Sequence, residues 1–240
     1  MKNLFFTIVI AIFSLTSCQI TEKIYLEENG SGKYDIEIDM NEMMKSMNGL
    51  GGETKIDSNY VATDSIINFS EMLIKHKDSI SKLPIKQQEK LNRMKDIVMV
   101  IHEDKNKNEF SMNIKGAFNN IKELDELEEI LNATQTDDKK ITSKSEVKYS
   151  FKRSKFSRKA IERKLNEEET KKYDKSMESL NMFLSGSTYN LEYHFYKPIK
   201  SASIKNAKYS TDRKTIYIKK PVDDLINNPT SFDLDIKIEK

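Results

Sequence analysis

The segment YLEENGSGKYDIEIDMNEMM, residues 25–44, holds a turn, a strand and the start of a helix. After the turn, apolar and charged residues alternate: Tyr34, Ile36, Ile38 and Met40 against Lys33, Asp35, Glu37 and Asp39. A period of two places one side of a strand in a core and the other in water. Residues 28–32 are rich in turn-forming Asn, Ser and Gly, and a helical segment begins near Asn41. The segment predicts a hairpin followed directly by a helix.

Three further segments alternate in the same way, at residues 110–115, 189–195 and 232–238. Turn residues at 103–108 and 210–213 predict two more hairpins, with helical segments following near Asn119 and Pro221. Burial on one side favours an antiparallel sheet. We therefore expect an α+β fold, with an antiparallel β-sheet built from hairpins and helices packed on one face. The continuously apolar residues 97–101 predict a central strand.

Apolar spacing predicts helices between these hairpins. One begins after Thr63 or Asp64, another has Pro84 in its first turn, and a long basic helix follows Ser157 as its N-cap. No stretch is long or biased enough to be a linker between domains. We expect a single α+β domain over residues 18–240, preceded by a separate segment of residues 1–17.

Residues 1–17 have the plan of a secretory signal peptide. Lys2 supplies a positive charge, and an apolar run over residues 4–15 is followed by small residues. A helix of that length spans about 18 Å, well short of the roughly 30 Å hydrocarbon core of a bilayer. The run therefore predicts an export signal rather than a transmembrane helix.

The signal ends in Leu15-Thr16-Ser17-Cys18, which resembles the lipobox of bacterial lipoproteins. In that family the cysteine sulfur receives a diacylglyceryl group, cleavage leaves the cysteine first, and its amine is often acylated. The resemblance implies a lipid anchor at Cys18, and Gln19 in the next position favours the outer membrane. The alternative is an ordinary cleaved signal with a chance cysteine.

Composition narrows the classes of binding partner that we expect for this chain. Cys18 is the single cysteine, so the exported domain has no disulfide. The 40 basic and 38 acidic residues nearly balance, which gives no general attraction to nucleic acid. We expect contact with the membrane through acyl chains, and an envelope protein or glycan as partner.

The motifs that could carry chemistry are incomplete. Residues 104–108 open like a calcium loop, but Glu109 and Lys115 stand where the loop needs glycine and a bidentate glutamate. Four methionines have the spacing of copper(I) ligands and equally that of an apolar helix stripe: Met40, Met43, Met44 and Met47. The three histidines are far apart in sequence, and no nucleophile motif occurs. We expect no metal, no cofactor and no catalysis.

Charged residues mark two candidate surfaces. Asp35, Glu37 and Asp233 lie on the polar sides of predicted strands, and exposed carboxylates of this kind suit the docking of a partner better than catalysis. The basic residues Lys148, Lys152 and Arg153 predict contact with an anionic surface, such as lipid headgroups or acidic glycans. A solvated strand and helix face is the alternative for the basic residues.

Two segments resemble lipoprotein families. Residues 25–44 and the segment YHFYKPIKSASIKNAKYSTDRKTIYI, residues 193–218, are similar to lipoproteins of Bacteroidota and, more distantly, to LppM-type envelope lipoproteins of Gram-positive bacteria. Tyr196 and Lys197 separate Phe195 from Pro198, which departs from the LppM pattern. The resemblance implies no catalytic residues. The sequence thus predicts a lipid-anchored envelope lipoprotein with a binding or structural role, or alternatively a carrier of a hydrophobic ligand between sheet and helices.

Overall fold

The computed structural model describes residues 18–49, 62–127, 143–184 and 186–239. The predicted signal peptide, including residues 15–17 of the lipobox, lies outside the described residues. The strands are β1 (Gln19–Leu26), β2 (Gly32–Asp39), β3 (Thr63–Asn68), β4 (Val98–Asp104), β5 (Glu109–Phe118), β6 (Ser145–Lys152), β7 (Lys155–Glu162), β8 (Thr188–Phe195), β9 (Ile199–Ala202), β10 (Lys208–Tyr209), β11 (Thr215–Pro221) and β12 (Leu234–Ile238).

These strands form two sheets. The larger sheet has the order β10-β11-β8-β1-β2-β5-β4-β3, and the smaller one has the order β6-β7-β12-β9. Neighbouring strands pair antiparallel, except that β1 and β8 run parallel in the middle of the larger sheet. The predicted α+β class with antiparallel hairpins and helices is confirmed. The division into two sheets was not predicted.

The helices occupy the connections between strands. They are α1 (Asn41–Gly49), α2 (Phe69–Lys75), α3 (Lys77–Ile80), α4 (Ile85–Arg93), α5 (Glu167–Leu184) and α6 (Val222–Asn227), with 3-10 turns at Met94–Asp96, Ile121–Glu126 and Pro229–Phe232. As predicted, α1 and α6 closely follow β2 and β11. Pro84, predicted in the first turn of a helix, instead precedes α4 as its N-cap. Among the described helices, none combines the length and apolar character needed to span a bilayer.

The first hairpin turn follows the sequence prediction. Gly30 adopts φ 85°, a left-handed conformation that glycine takes without strain. The side chain of Asn29 accepts a hydrogen bond from the Ser31 N–H at 3.0 Å, which closes the turn. The predicted turns at 103–108 and 210–213 likewise join β4 to β5 and β10 to β11.

The core lies between the two sheets. The ring centroid of Phe156 on β7 is 5.3 Å from that of Tyr193 and 5.5 Å from that of Phe195, both on β8. Helical segments add the buried side chains of Phe69 and Met94 to the same cluster. Edge-to-face aromatic pairs of this kind stabilise by about 0.5–1.5 kcal/mol beyond their buried area. Aromatic packing therefore joins the sheets.

Three local predictions were wrong. Residues Lys155–Glu162 form strand β7, and the long helix begins at Glu167, where Asn166 and Glu169 exchange reciprocal hydrogen bonds of 2.9 Å. This capping box satisfies the free N–H groups of the first turn, which Ser157 does not do. Residues Thr63–Asn68 are a strand rather than a helix start. Strand β4 is second from the edge of its sheet, not central.

Candidate functional site

The side of the larger sheet that faces away from the smaller sheet, here called the outer face, carries alternating charges. Strand register aligns Glu192 of β8, Lys23 of β1, Asp35 of β2 and Lys115 of β5 in one row. Lys23 Nζ lies 2.9 Å from Glu37 Oε2, and Lys115 Nζ lies 3.8 Å from Asp35 Oδ2. The hydrogen bond to Glu37 raises the pKa of Lys23. Asp35 and Glu37 are therefore each paired with a lysine of a neighbouring strand.

Aromatic rings occupy one end of the outer face. The rings of Tyr25 and His194 stack with centroids 4.3 Å apart and planes 6° from parallel. His194 is held on both sides, because Nε2 lies 2.8 Å from Glu192 Oε1 and Nδ1 lies 3.0 Å from the Thr215 hydroxyl. Tyr25 is 39% exposed and Tyr217 is 40% exposed. This end offers flat apolar rings beside fixed polar groups.

A cleft of about 560 Å³ opens beside Tyr25, and we call it the Tyr25 cleft. Its lining includes Tyr25, Lys33, Asp35, Asp96, Lys115 and Ala117. The small side chain of Ala117 leaves room between the longer ones. Tyr34 and Gly116 also line the cleft, and a Cβ atom at Gly116 would lie 2.4 Å from the Tyr34 hydroxyl. Glycine at this position therefore permits the close approach of the Tyr34 ring.

The structure separates the three predicted partner-face residues. Asp35 and Glu37 lie on the outer face of the larger sheet. Asp233 belongs to the other sheet, where its carboxylate accepts a hydrogen bond from the Ala160 N–H at 2.8 Å and lies 3.5 Å from Lys159 Nζ. The separation arises because Asp233 precedes β12, which pairs with β7 and β9 rather than with β2.

The predicted basic residues lie on the smaller sheet and its first turn. Lys148 Nζ lies 3.0 Å from Glu146 Oε2, whereas Lys152 ends β6 and Arg153 occupies the turn with φ 48°. Strand pairing places Lys155 opposite Lys152, and Lys237 opposite Lys155. Lys155 belongs to the same basic stretch of sequence as Lys148 and Lys152, whereas the sequence prediction missed Lys237. Alternation placed Lys237 on a polar side, but only the strand order shows which side chains become its neighbours.

A buried polar cluster joins the two sheets. Glu22 on β1 accepts hydrogen bonds from the hydroxyls of Tyr149 at 2.6 Å, Tyr193 at 2.5 Å and Tyr189 at 2.7 Å. The Arg158 guanidinium, 2% exposed, lies 3.7 Å from Glu22 Oε2. Its Nη1 donates to the Phe232 carbonyl at 3.3 Å, while its Nε has no partner among the residues that the structure describes. We call these five side chains the Glu22 cluster.

Burial and charge shift the pKa values of the tyrosines and the arginine in this cluster. Burial raises the pKa of Tyr149, Tyr189 and Tyr193, and the negative charge of Glu22 raises them further. Burial alone would lower the pKa of Arg158, but Glu22 and the tyrosines outweigh it and raise the pKa. The sequence held one signal of the cluster, because Glu22 occupies an apolar position in the alternation of Ile20, Ile24 and Leu26.

Cys18 directly precedes β1. Its carbonyl accepts a hydrogen bond from the Thr188 N–H at 3.1 Å, and its side chain is buried. Burial, followed by the charge of Asp39, raises the pKa of the thiol. No spacer separates the cysteine from the central strand, so a group attached there would lie against the end of the larger sheet.

The metal-like motifs serve local structure. Asp104 Oδ1 accepts hydrogen bonds from the N–H groups of Asn106 and Lys107, each at 3.0 Å, and so closes the predicted turn. Met43 is buried and Met44 half-buried in α1. Across the described part of the chain, no group of three or more His, Cys, Asp or Glu side chains is arranged to hold a metal ion.

Comparison with known proteins gives a distant fold likeness. No protein-family model matches the chain, and no curated protein sequence is significantly similar to it. The NMR structure of the folded domain of Mycobacterium tuberculosis LppM superposes with a TM-score of 0.42 at 6% sequence identity, covering 92% of this chain and 89% of that one.

Proposed function

We propose that this chain is a lipoprotein of the outer membrane, anchored through acylated Cys18, that binds an envelope protein or glycan. The resemblance of residues 15–18 to a lipobox supports the anchor. Two acyl signals suffice for stable anchoring, and a lipoprotein carries them at its first residue. Because Cys18 directly precedes β1, the anchor would hold that end of the larger sheet at the bilayer.

The Tyr25 cleft is the observation that carries the binding role. Tyr25 lies seven residues along β1 from Cys18, about 23 Å at the rise of an extended strand. The cleft would therefore open away from the anchoring bilayer. Exposed tyrosines with an apolar ring and a polar end are enriched at binding surfaces. The paired charges around them would give the complex a salt-sensitive affinity.

The proposal assigns no reaction to this face. The carboxylates of Asp35 and Glu37 each face a lysine of a neighbouring strand, and His194 is occupied by Glu192 and Thr215. A general acid or base would need one of these groups to be available to a substrate. Holding and orienting a partner makes no such demand.

Acylation and fractionation test the anchor. The full-length chain should incorporate labelled palmitate and remain with membranes after a carbonate wash, whereas Cys18→Ala should lose the label and become extractable. Thr21→Ala, on the same strand, is the control and should behave as the wild type. Membrane retention of Cys18→Ala after the wash would contradict the anchor.

Crosslinking in intact cells tests the cleft. Tyr25→Ala should reduce crosslinking of the chain to its envelope partner, and raised salt should weaken it. Ile161→Ala, at an apolar residue 52% exposed on the smaller sheet, is the matched control. Equal crosslinking by both variants would contradict the proposed face. Native mass spectrometry of the same preparations addresses the carrier alternative, which requires a copurifying lipid.

A further inference from the structure

Three lysines stand side by side on the smaller sheet. Lys152 on β6 lies opposite Lys155 on β7, and Lys155 lies opposite Lys237 on β12. All three are exposed, and their neighbours Phe156 and Ile236 point into the core. Since adjacent strands lie about 4.8 Å apart, the three α-carbons span about 10 Å. We call this arrangement the lysine row.

In the described part of the chain, the three lysines of the row lack the carboxylate partners that two other lysines of the same sheet have. Within the residues that the structure describes, no carboxylate forms an ion pair with any of its three members. Elsewhere in the same sheet Lys148 lies 3.0 Å from Glu146, and Lys159 lies 2.9 Å from Asp235. Like charges directly opposite in a sheet are destabilising. Arg153, in the adjoining turn, adds a fourth positive charge.

We propose that the lysine row binds a linear, phosphate-bearing polymer that crosses the three strands. An ammonium group acts on phosphate as a point charge, without the fixed two-pronged geometry of arginine. Three such charges in line match the repeated charges of a chain better than one isolated anion. The binding is electrostatic and tolerant of the groups between the phosphates.

The position of the row favours a polymer over the anchoring bilayer, a step that rests on the proposed function. The row adjoins the distal end of β1, because the Ile238 N–H donates to the Ser154 carbonyl at 3.0 Å and the Glu239 N–H donates to the Pro198 carbonyl at 2.9 Å. Pro198 follows the far end of β8, which runs parallel to β1. The eight residues of β1 place Cys18 about 26 Å away.

Binding of inorganic polyphosphate tests the lysine row. The full-length chain in non-ionic detergent is titrated with fluorescent polyphosphate from 50 to about 300 mM salt. For the three lysines and Arg153, the plot of log affinity against log salt should have a slope of about −3. The variant K152Q/K155Q/K237Q should bind about tenfold or more weakly at the lowest salt, with a slope of about −0.7 from the remaining Arg153.

The variant K86Q/K208Q/K219Q makes the same change in net charge at exposed lysines outside the smaller sheet. It should bind as the wild type does. Equal weakening by both triple variants, or a wild-type slope near zero, would overturn the site. Phosphatidylglycerol vesicles at equal phosphate concentration form a second arm, and tighter row-dependent binding to them would overturn the polymer as occupant. None of these readouts depends on acylation of Cys18, so the anchor and the row fail separately.

Discussion

Two neighbouring residues of β1 carry opposite charges into opposite surroundings. Glu22 points into the core, where it meets Arg158 and three tyrosine hydroxyls. Lys23 points to the outer face, where it meets Glu37 across the strand pair. The side chain of Glu22 is 8% exposed and that of Lys23 is 24% exposed. One step along the strand thus separates a buried ion pair from a hydrated one.

Contact distance alone does not set the energies expected for these two ion pairs. The exposed pair is shorter, at 2.9 Å against 3.7 Å for the buried pair. Water screens the exposed pair and would solvate either partner alone, so loss of this pair should lower the free energy of unfolding only slightly. In the core, a charged group that loses its partner has no water to replace it, so loss of the buried pair should lower stability much more. The Glu22 cluster also spans both sheets, so it couples their relative position to one carboxylate.

The largest effect is expected at Glu22. Glu22→Ala should lower the free energy of unfolding by about 3–5 kcal/mol, because it removes the counter-charge of a buried guanidinium and the shared acceptor of three hydroxyls. Urea unfolding at neutral pH, followed by circular dichroism, measures the loss. Arg158→Met, which leaves Glu22 its three hydroxyl donors, should cost less. A loss below about 1 kcal/mol for Glu22→Ala would show that water reaches the cluster.

A smaller effect is expected at Tyr149. Tyr149→Phe removes one hydrogen bond to a charged carboxylate and should cost about 1.5–3 kcal/mol at neutral pH. Tyr217→Phe, which removes an exposed hydroxyl on the outer face, is the control. Urea unfolding of both variants at pH 7 measures the difference. Equal losses of stability would mean that the two hydroxyls lie in equivalent surroundings, which would contradict the distinction between the core and the outer face.

The same tyrosines predict how stability depends on pH. Their folded pKa values are raised, so their contribution is complete below about pH 10, the unfolded value, and is lost as pH rises. Above pH 10 the unfolded chain releases protons that the folded cluster retains. Well above pH 10, each such group should lower stability by about 1.4 kcal/mol per pH unit, and Tyr149→Phe should remove one such increment from the slope. Urea unfolding between pH 9 and 11.5 checks this.

The sequence predicted what is local. Turn residues at 28–32 and the alternation after them predicted the first hairpin. The second strand of this hairpin places Asp35 and Glu37 on the outer face. The alternation rule failed where charged residues occupy the buried side of a strand. Arg158 occupies a buried position of β7 and so interrupts the apolar side of the alternation. The segment was therefore predicted as the start of a helix at Ser157 rather than as a strand. Local patterns assume that charges face water, which the Glu22 cluster contradicts.

The order of strands in each sheet was the second feature that the sequence did not predict. The lysine row combines β6, β7 and β12, and β12 enters beside β7 from the end of the chain. Asp233 left the predicted partner face for the same reason. Side chains that alternate correctly along each strand acquire their neighbours only through pairing, which depends on the packing of the whole core.

The smallest effect is expected for the exposed pair, and it gives the sharpest check on the comparison. A double-mutant cycle with Lys23→Met and Glu37→Gln should give a coupling energy of about 0.2–1 kcal/mol, because both side chains remain hydrated. About 1 M salt should remove most of it, since the Debye length falls to about 3 Å. Urea unfolding of the four chains at low and high salt provides the measurement. A salt-independent coupling above about 2 kcal/mol would mean that water does not screen Lys23. The ion pair on the outer face would then behave like the buried pair of Glu22 and Arg158, which would contradict the comparison.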